Sequence, residues 1–362
     1  MSTTEGATAS LRPLERAAPL LRPLQAQRAI TFALSVLLAA TLGGDFTHDP
    51  RLWPGTPSLA GHWLGVGSIG NSPPKLDAFF RLTGLHPTVS QWGIYWPNPL
   101  PSAPMDAAYA RGTMPLLTWQ PWSNGYGSAG LTDAQVLSGA YDPYLRAFAQ
   151  QARAWGHPFL LRFAQEMNGD WFSYGVAAGH NGNSPATFVA AWRHVHDLFV
   201  QAGATNVRWV WCPAALTSSD PAAAQLLSAL YPGDAYVDWI GYDGYNFGGV
   251  HWASFHDVYQ PTYNAITHLA GSANTKPLLI AEGAAPDGPQ APSASAKAAW
   301  ITSGLLVDLP TTMPRIRGYC WFQADTTADG GLGGQDWRVN TSPQALAAFR
   351  AVAASSFWQA AP

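Results

Sequence analysis

From Leu64 onward the chain repeats one alternation: a short apolar run, then a segment whose apolar residues recur at helical spacing. The runs are LGVGSIG from Leu64, TVSQWGIYW from Thr88, MPLLTWQPW from Met114, FLLRFAQE from Phe159, VRWVWCP from Val207, DWIGYDGYN from Asp238, PLLIAEGA from Pro277 and GYCWFQ from Gly318. Short apolar runs rich in β-branched and aromatic residues and bounded by Gly and Pro read as strands covered on both faces. The segments between them carry helix start signals. Ser184 precedes Pro185, Phe188, Trp192, Val195 and Phe199 form a stripe, and Gly203 closes it. Asp220–Pro221 opens another segment, and Ser342–Pro343 opens one in which Leu346, Phe349 and Val352 align. Tyr144, Phe148, Ala152 and Trp155 stripe the segment ahead of the fourth run. Eight such units over roughly 300 residues match the size of one (β/α)8 barrel. A doubly wound open sheet would need a glycine-rich phosphate loop after its first strand, and none follows here. The fold class is therefore α/β, with residues 61–358 forming a single TIM barrel domain.

Residues 1–45 fall outside that pattern. Arg12, Arg16, Arg22 and Arg28 stand among Pro and Ala, and Ala29–Leu42 is then 14 residues without a charge, ended by Gly43, Gly44 and Asp45. A membrane span needs about 20 residues, whereas an apolar stretch of this length behind positive charge fits the core of a signal peptide. The segment is read as a signal peptide or membrane anchor, with 46–60 as linker, so the chain is expected to be secreted or extracytoplasmic. Of 362 residues 47% are hydrophobic and 11% charged, which excludes disorder. A net charge of −3 gives no footprint for nucleic acid. Cys212 and Cys320 make no disulfide framework. With Trp211 and Trp321 facing the barrel mouth, both thiols are expected free and buried under the helices. His194 and His196 lie two apart on a helix and diverge. No metal or cofactor motif is present, and a monomer is expected.

The chemistry lies in two of the runs. Strand alternation puts Arg162, Ala164 and Glu166 on one face and Leu161, Phe163 and Gln165 on the other. A carboxylate ending a dry strand is costly without a partner or a task. The bland account is an ion pair between Glu166 and Arg162, and Arg162 is read as an internal charge neutraliser. A second run repeats the feature, with Glu282 following Leu278 and Ile280 on one face. In a barrel Glu166 and Glu282 end strands four and seven, and both reach the mouth at the strands' C-terminal ends, where this fold keeps its active sites. Two carboxyls across a groove are the equipment for glycoside hydrolysis, one protonated to donate and one ionised to attack. Trp92, Trp96, Trp119, Trp122, Trp171 and Trp321 stand at the same strand ends, among 17 Trp in all. Flat aromatic faces suit the C–H faces of sugars. Asp243 shares a strand face with Tyr245 and serves either a sugar hydroxyl or its protein neighbours. The loop Ala324–Asp336 fits no ordered calcium loop and is read as a lid.

The RFxxEMNGxW run, the AEGA run, the GYDGYN run and the late DWRVNTSPQALAAF run together resemble glycoside hydrolase family 26, over about residues 60–352. The resemblance implies a retaining β-glycanase: an endo-β-1,4-mannanase, with a β-1,3-1,4-glucanase or other β-glucan hydrolase as the alternative enzyme. A catalytically silent polysaccharide-binding barrel is the alternative outside enzymes, although such a protein has no chemical reason to hold both carboxyls and the tyrosine. Carried over residue by residue, Glu166 matches the acid/base, Glu282 the nucleophile and Tyr245 the tyrosine that orients the nucleophile. Trp171 and Trp321 match aromatics bounding the subsites around the cleaved bond. The family usually has His where this chain has Gln165, which leaves Gln165 and Asn168 as amide candidates for a sugar hydroxyl, alongside Trp92, Trp119 and Asp243 as substrate-binding candidates. The implied partner is a polysaccharide, with no cofactor.

Overall fold

The computed structural model describes residues 61–358, apart from 126–127, 270, 272–274 and 329. The expected export segment and linker lie outside the described residues. Eight parallel strands close into one barrel in sequence order: β1 (Trp63–Gly67), β2 (Val89–Tyr95), β3 (Met114–Gln120), β4 (Phe159–Phe163), β5 (Val207–Trp211), β6 (Trp239–Tyr245), β7 (Leu278–Ala284) and β8 (Ile316–Phe322). β1 pairs with β8 along its whole length, from Trp63 opposite Gly318 to Gly67 opposite Phe322. The TIM barrel read from the alternation is the fold observed. Among the described residues no helix is long and apolar enough to cross a membrane.

Two apolar layers hold the barrel. Inside it, Trp63, Val89, Met114, Leu116, Leu160, Val210, Trp239 and Leu279 pack against one another, all nearly without exposure. Outside it, the other strand face meets the helices, and the start signals explain where those helices begin. In the helix Pro185–Ala202 the Ser184 hydroxyl accepts the Thr187 N–H at 3.2 Å while Thr187 Oγ1 accepts the Ser184 N–H at 2.9 Å. Phe188, Trp192, Val195 and Phe199 are buried as the stripe requires. Asp220 and Ser342 cap the helices Pro221–Leu230 and Pro343–Ala353 by accepting the Ala222 and Ala345 N–H groups, without the reciprocal bond. At the bottom of the barrel His62 stacks on Phe357 with ring centroids 4.0 Å apart, and the Trp358 indole N–H donates to the Leu305 carbonyl at 2.9 Å.

The layers correct the expected orientation of several side chains. Trp92, Trp96 and Trp119 belong to the outer layer. Trp119 stacks on Phe148 at 4.5 Å, its indole N–H donates to Tyr144, and Trp96 packs on Phe163. On β5 and β8 it is Trp211 and Trp321 that lie under the helices, while Cys212 and Cys320 sit inside the barrel. Both thiols are free and buried, as expected, but on the opposite side of the sheet. The indoles that do fill the interior are Trp63 and Trp239, which stack at 4.6 Å.

Candidate active site

The stretch after β4 is where the regular strand gives way. β4 ends at Phe163, and Ala164 and Glu166 take left-handed backbone angles, φ 45° and 55°. Such angles cost a non-glycine residue about 1–3 kcal/mol and persist only where neighbours fix them. The fixing contacts are present. The Glu166 N–H donates to the Cys212 carbonyl at 2.7 Å, and the Asn168 side chain exchanges two hydrogen bonds with the Ala214 backbone, at 3.0 and 2.8 Å. The result aims Glu166 into the mouth, where its Oε2 accepts the Trp171 indole N–H at 2.7 Å. Trp171 itself is 57% exposed.

Glu282 arrives by a different irregularity. Alternation groups it with Leu278 and Ile280, yet both of those face the helices. A bulge in β7, where Tyr242 opposes Ile280 but Asp243 opposes Glu282, inserts Ala281 as an extra residue and turns Glu282 inward. There its Oε2 accepts the Tyr245 hydroxyl at 2.6 Å, and its Oε1 accepts Gln91 Nε2 at 3.0 Å and the Arg162 guanidinium. Gln91 is oriented by the Ser68 N–H, which donates to its Oε1 at 3.0 Å, so the amide N–H2 must face Glu282 and Thr118. Burial and the Glu282 charge both push the Tyr245 phenol well above its ordinary value, so it remains a donor.

Arg162 anchors this floor. It is fully buried, pairs with Asp243 at 2.6 Å and with Glu282, and donates to Thr118 Oγ1 through Nε at 3.0 Å. The ion pair weighed for Glu166 thus goes to Glu282 and Asp243 instead. Glu166 is left with a carboxyl raised to about 7, first by burial and then by the Glu282 charge, against smaller opposing pulls from Trp171 and Arg162. The two carboxyls are therefore inequivalent by construction: one surrounded by donors, the other by apolar wall and a like charge.

Glu166, Glu282, Tyr245 and Trp171 meet at one mouth, and several other candidates do not. Trp92, 2% exposed, and Trp119 and Trp321, with no exposure, are packing residues beneath the helices; the Trp321 indole N–H donates to the Trp337 carbonyl. Asp243 is held by Arg162, and Cys212 Sγ donates to it at 3.4 Å, so it supports the floor rather than a sugar. Asn168 clamps two loops, both ends of its amide being bonded to Ala214. Gln165, 5% exposed, lies where the strand has already broken and accepts the Tyr174 hydroxyl at 3.3 Å. In the loop 324–336, Asp325 pairs with Asp336 as an isolated backbone bridge and the Thr326 N–H donates to the Gln335 carbonyl at 2.9 Å. Gln91 and Thr118 went unnoticed in the sequence, although a Gln inside the apolar run VSQWGIY is a buried polar group that must find a partner.

Fold and site define a TIM barrel with a carboxyl pair at its C-terminal mouth, the nucleophile-like member held by a tyrosine, a glutamine and an arginine. Residues 133–304 match the sequence model of glycosyl hydrolase family 26. The matched stretch takes in both Glu166 and Glu282. Endoglucanase H of Acetivibrio thermocellus is 31% identical over 299 residues, covering 80% of this chain and 30% of the relative. Mannan endo-1,4-beta-mannosidase A and B of Caldalkalibacillus mannanilyticus is 30% identical over 95 residues, 25% of this chain and 17% of the relative. The chain thus spans less than a third of the length of the curated relatives it matches. The Cellulomonas fimi endo-beta-1,4-mannanase double mutant superposes with a TM-score of 0.61 at 20% identity, over 82% of this chain and 71% of that one, a likeness of fold.

Proposed function

We propose that this protein hydrolyses a β-linked polysaccharide with retention of configuration, β-1,4-mannan foremost. The observation that carries the reading is the inequivalence of the two carboxyls. Glu166, held protonated near neutrality, donates to the leaving glycosidic oxygen, while Glu282, already surrounded by donors, attacks the anomeric carbon. The same Glu166, once deprotonated, activates the water that releases the sugar. A second reading, a β-glucan as substrate, is favoured by the similarity to an endoglucanase over most of the chain. Reducing-sugar release from mannan, lichenan, cellulose and xylan decides between them.

The roles are tested by activated substrates. With a dinitrophenyl β-glycoside, whose leaving group needs no proton, Glu282→Ala should form no glycosyl-enzyme. Glu166→Ala should form it and stall, and added azide should restore turnover with a β-configured product. Azide rescue of Glu282→Ala with retention, or two variants dead on the activated substrate, overturns the assignment. We also propose that residues 1–45 direct export, supported by the basic segment ahead of Ala29–Leu42. N-terminal sequencing of protein recovered from culture medium and membranes would show whether the segment is removed, and protein confined to the cytosol would refute export.

A further inference from the structure

We infer that Phe247 is the sugar-stacking platform on the glycone side of the site, holding the second ring of the chain beyond the one that Glu282 attacks. The inference rests on the proposed β-glycanase function. It begins from an asymmetry: the expected pair of aromatics was Trp171 and Trp321, and Trp321 is buried under the helices. On the acid/base side Trp171 still stands exposed with its indole on Glu166. On the nucleophile side the exposed ring is Phe247, 48% open, with its centroid 5.9 Å from Tyr245, the residue bonded to Glu282.

A single exposed phenylalanine needs no explanation by itself. This one is held in place. Asn246, 1% exposed, pins the loop on which it rides, donating to the Ala253 carbonyl at 2.7 Å and accepting the N–H groups of Gly248 and Ala253. Behind the ring, Trp337 stands edge-on with centroids 5.9 Å apart, and Trp337 also packs on Tyr245 at 5.0 Å. Gly248 lets the loop press onto its neighbour: a Cβ there would lie 2.6 Å from the Gln290 carbonyl and 2.8 Å from Pro286. The strand end thus presents a rigid apolar face, continuous through Tyr245 with the nucleophile. A flat ring fixed in advance takes the C–H face of a pyranose without losing rotamer freedom, which is how a sugar platform gains affinity. The attacked sugar occupies the space over Glu282 and Tyr245, so the next ring outward on that side reaches Phe247.

The test compares dinitrophenyl β-glycosides carrying one, two or three sugars, in which every sugar lies on the glycone side. The wild-type ratio of kcat/KM for the disaccharide to that for the monosaccharide should fall about tenfold in Phe247→Ala and be recovered in Phe247→Trp. Calorimetry in a Glu282→Ala background should show a parallel loss of affinity for the trisaccharide of the preferred glycan. An unchanged ratio, or a loss confined to substrates extended beyond the cleaved bond, overturns the inference while leaving the proposed function intact. Equal loss on mono- and disaccharide would make Phe247 a support for Tyr245 and also overturn it. A wild-type enzyme that cleaves no β-glycoside would instead refute the underlying function, and trisaccharide binding unaffected by Phe247→Ala would then refute this inference separately.

Discussion

Trp171 does two jobs that can be separated. Its ring offers apolar surface, and its N–H stabilises the ionised form of Glu166, pulling that carboxyl down against burial. Since the acid form is the one that starts the reaction, wild-type kcat/KM should decline as pH rises through about 7. Trp171→Phe keeps an aromatic face but removes the donor, so the Glu166 carboxyl should titrate higher and the alkaline limb should move to higher pH. A pH profile on a soluble β-glycoside checks this, and a limb that stays put or moves down contradicts it. Gln91 makes a second case at this scale. Gln91→Leu keeps volume but removes one of the donors to Glu282 and leaves the Ser68 N–H without its acceptor, while Thr118 keeps Arg162. Turnover should fall about tenfold or more, as when a positioned donor is lost, with little change in KM; unchanged kcat would refute the role.

At the scale of elements, what the sequence revealed and what it hid divide along one line. Strand and helix identity were legible, because period and start signals such as Ser184–Pro185 are local. Which side a residue faces at a strand end was not. Trp92, Trp119 and Trp321 were misplaced because nothing local tells which face of a doubly covered strand is the interior. Glu282 was assigned to the mouth correctly, but by an alternation that the β7 bulge breaks, and bulges depend on the partner strand. Close approach at this bulge is permitted by Gly283: a Cβ there would lie 2.2 Å from the Tyr259 hydroxyl and 2.5 Å from that of Tyr319. Gly283→Ala must therefore push β7 or the two tyrosines apart. We expect about 1–3 kcal/mol of destabilisation in urea unfolding. Activity should suffer more than stability, since a shift of 1 Å in Glu282 alone can cost on the order of 100-fold. Near-normal kcat in a folded Gly283→Ala protein would show that the bulge does not position Glu282.

For the whole molecule, the closed barrel seals both thiols from reagents. Burial pushes the Cys212 and Cys320 thiols up, so neither is a ready thiolate. A colorimetric thiol reagent should find no groups in the native protein and two after unfolding without reductant. Rapid native labelling, or none after unfolding, would mean that the barrel opens or that the cysteines are bonded elsewhere.

In the proposed double displacement, the shared guanidinium at the barrel floor sets the order of the proton transfers. While Glu282 is free, burial and then the Glu282 charge keep the proton on Glu166. When Glu282 becomes an ester of the sugar, that charge vanishes but Arg162 remains, fully buried and unable to leave. The repulsion that helped retain the proton on Glu166 is then gone, while the pull of Arg162 that lowers its carboxyl remains. The group that has just given its proton to the departing chain therefore stays ionised until it takes one from the attacking water, and each half of the cycle prepares the protonation state that the other half consumes.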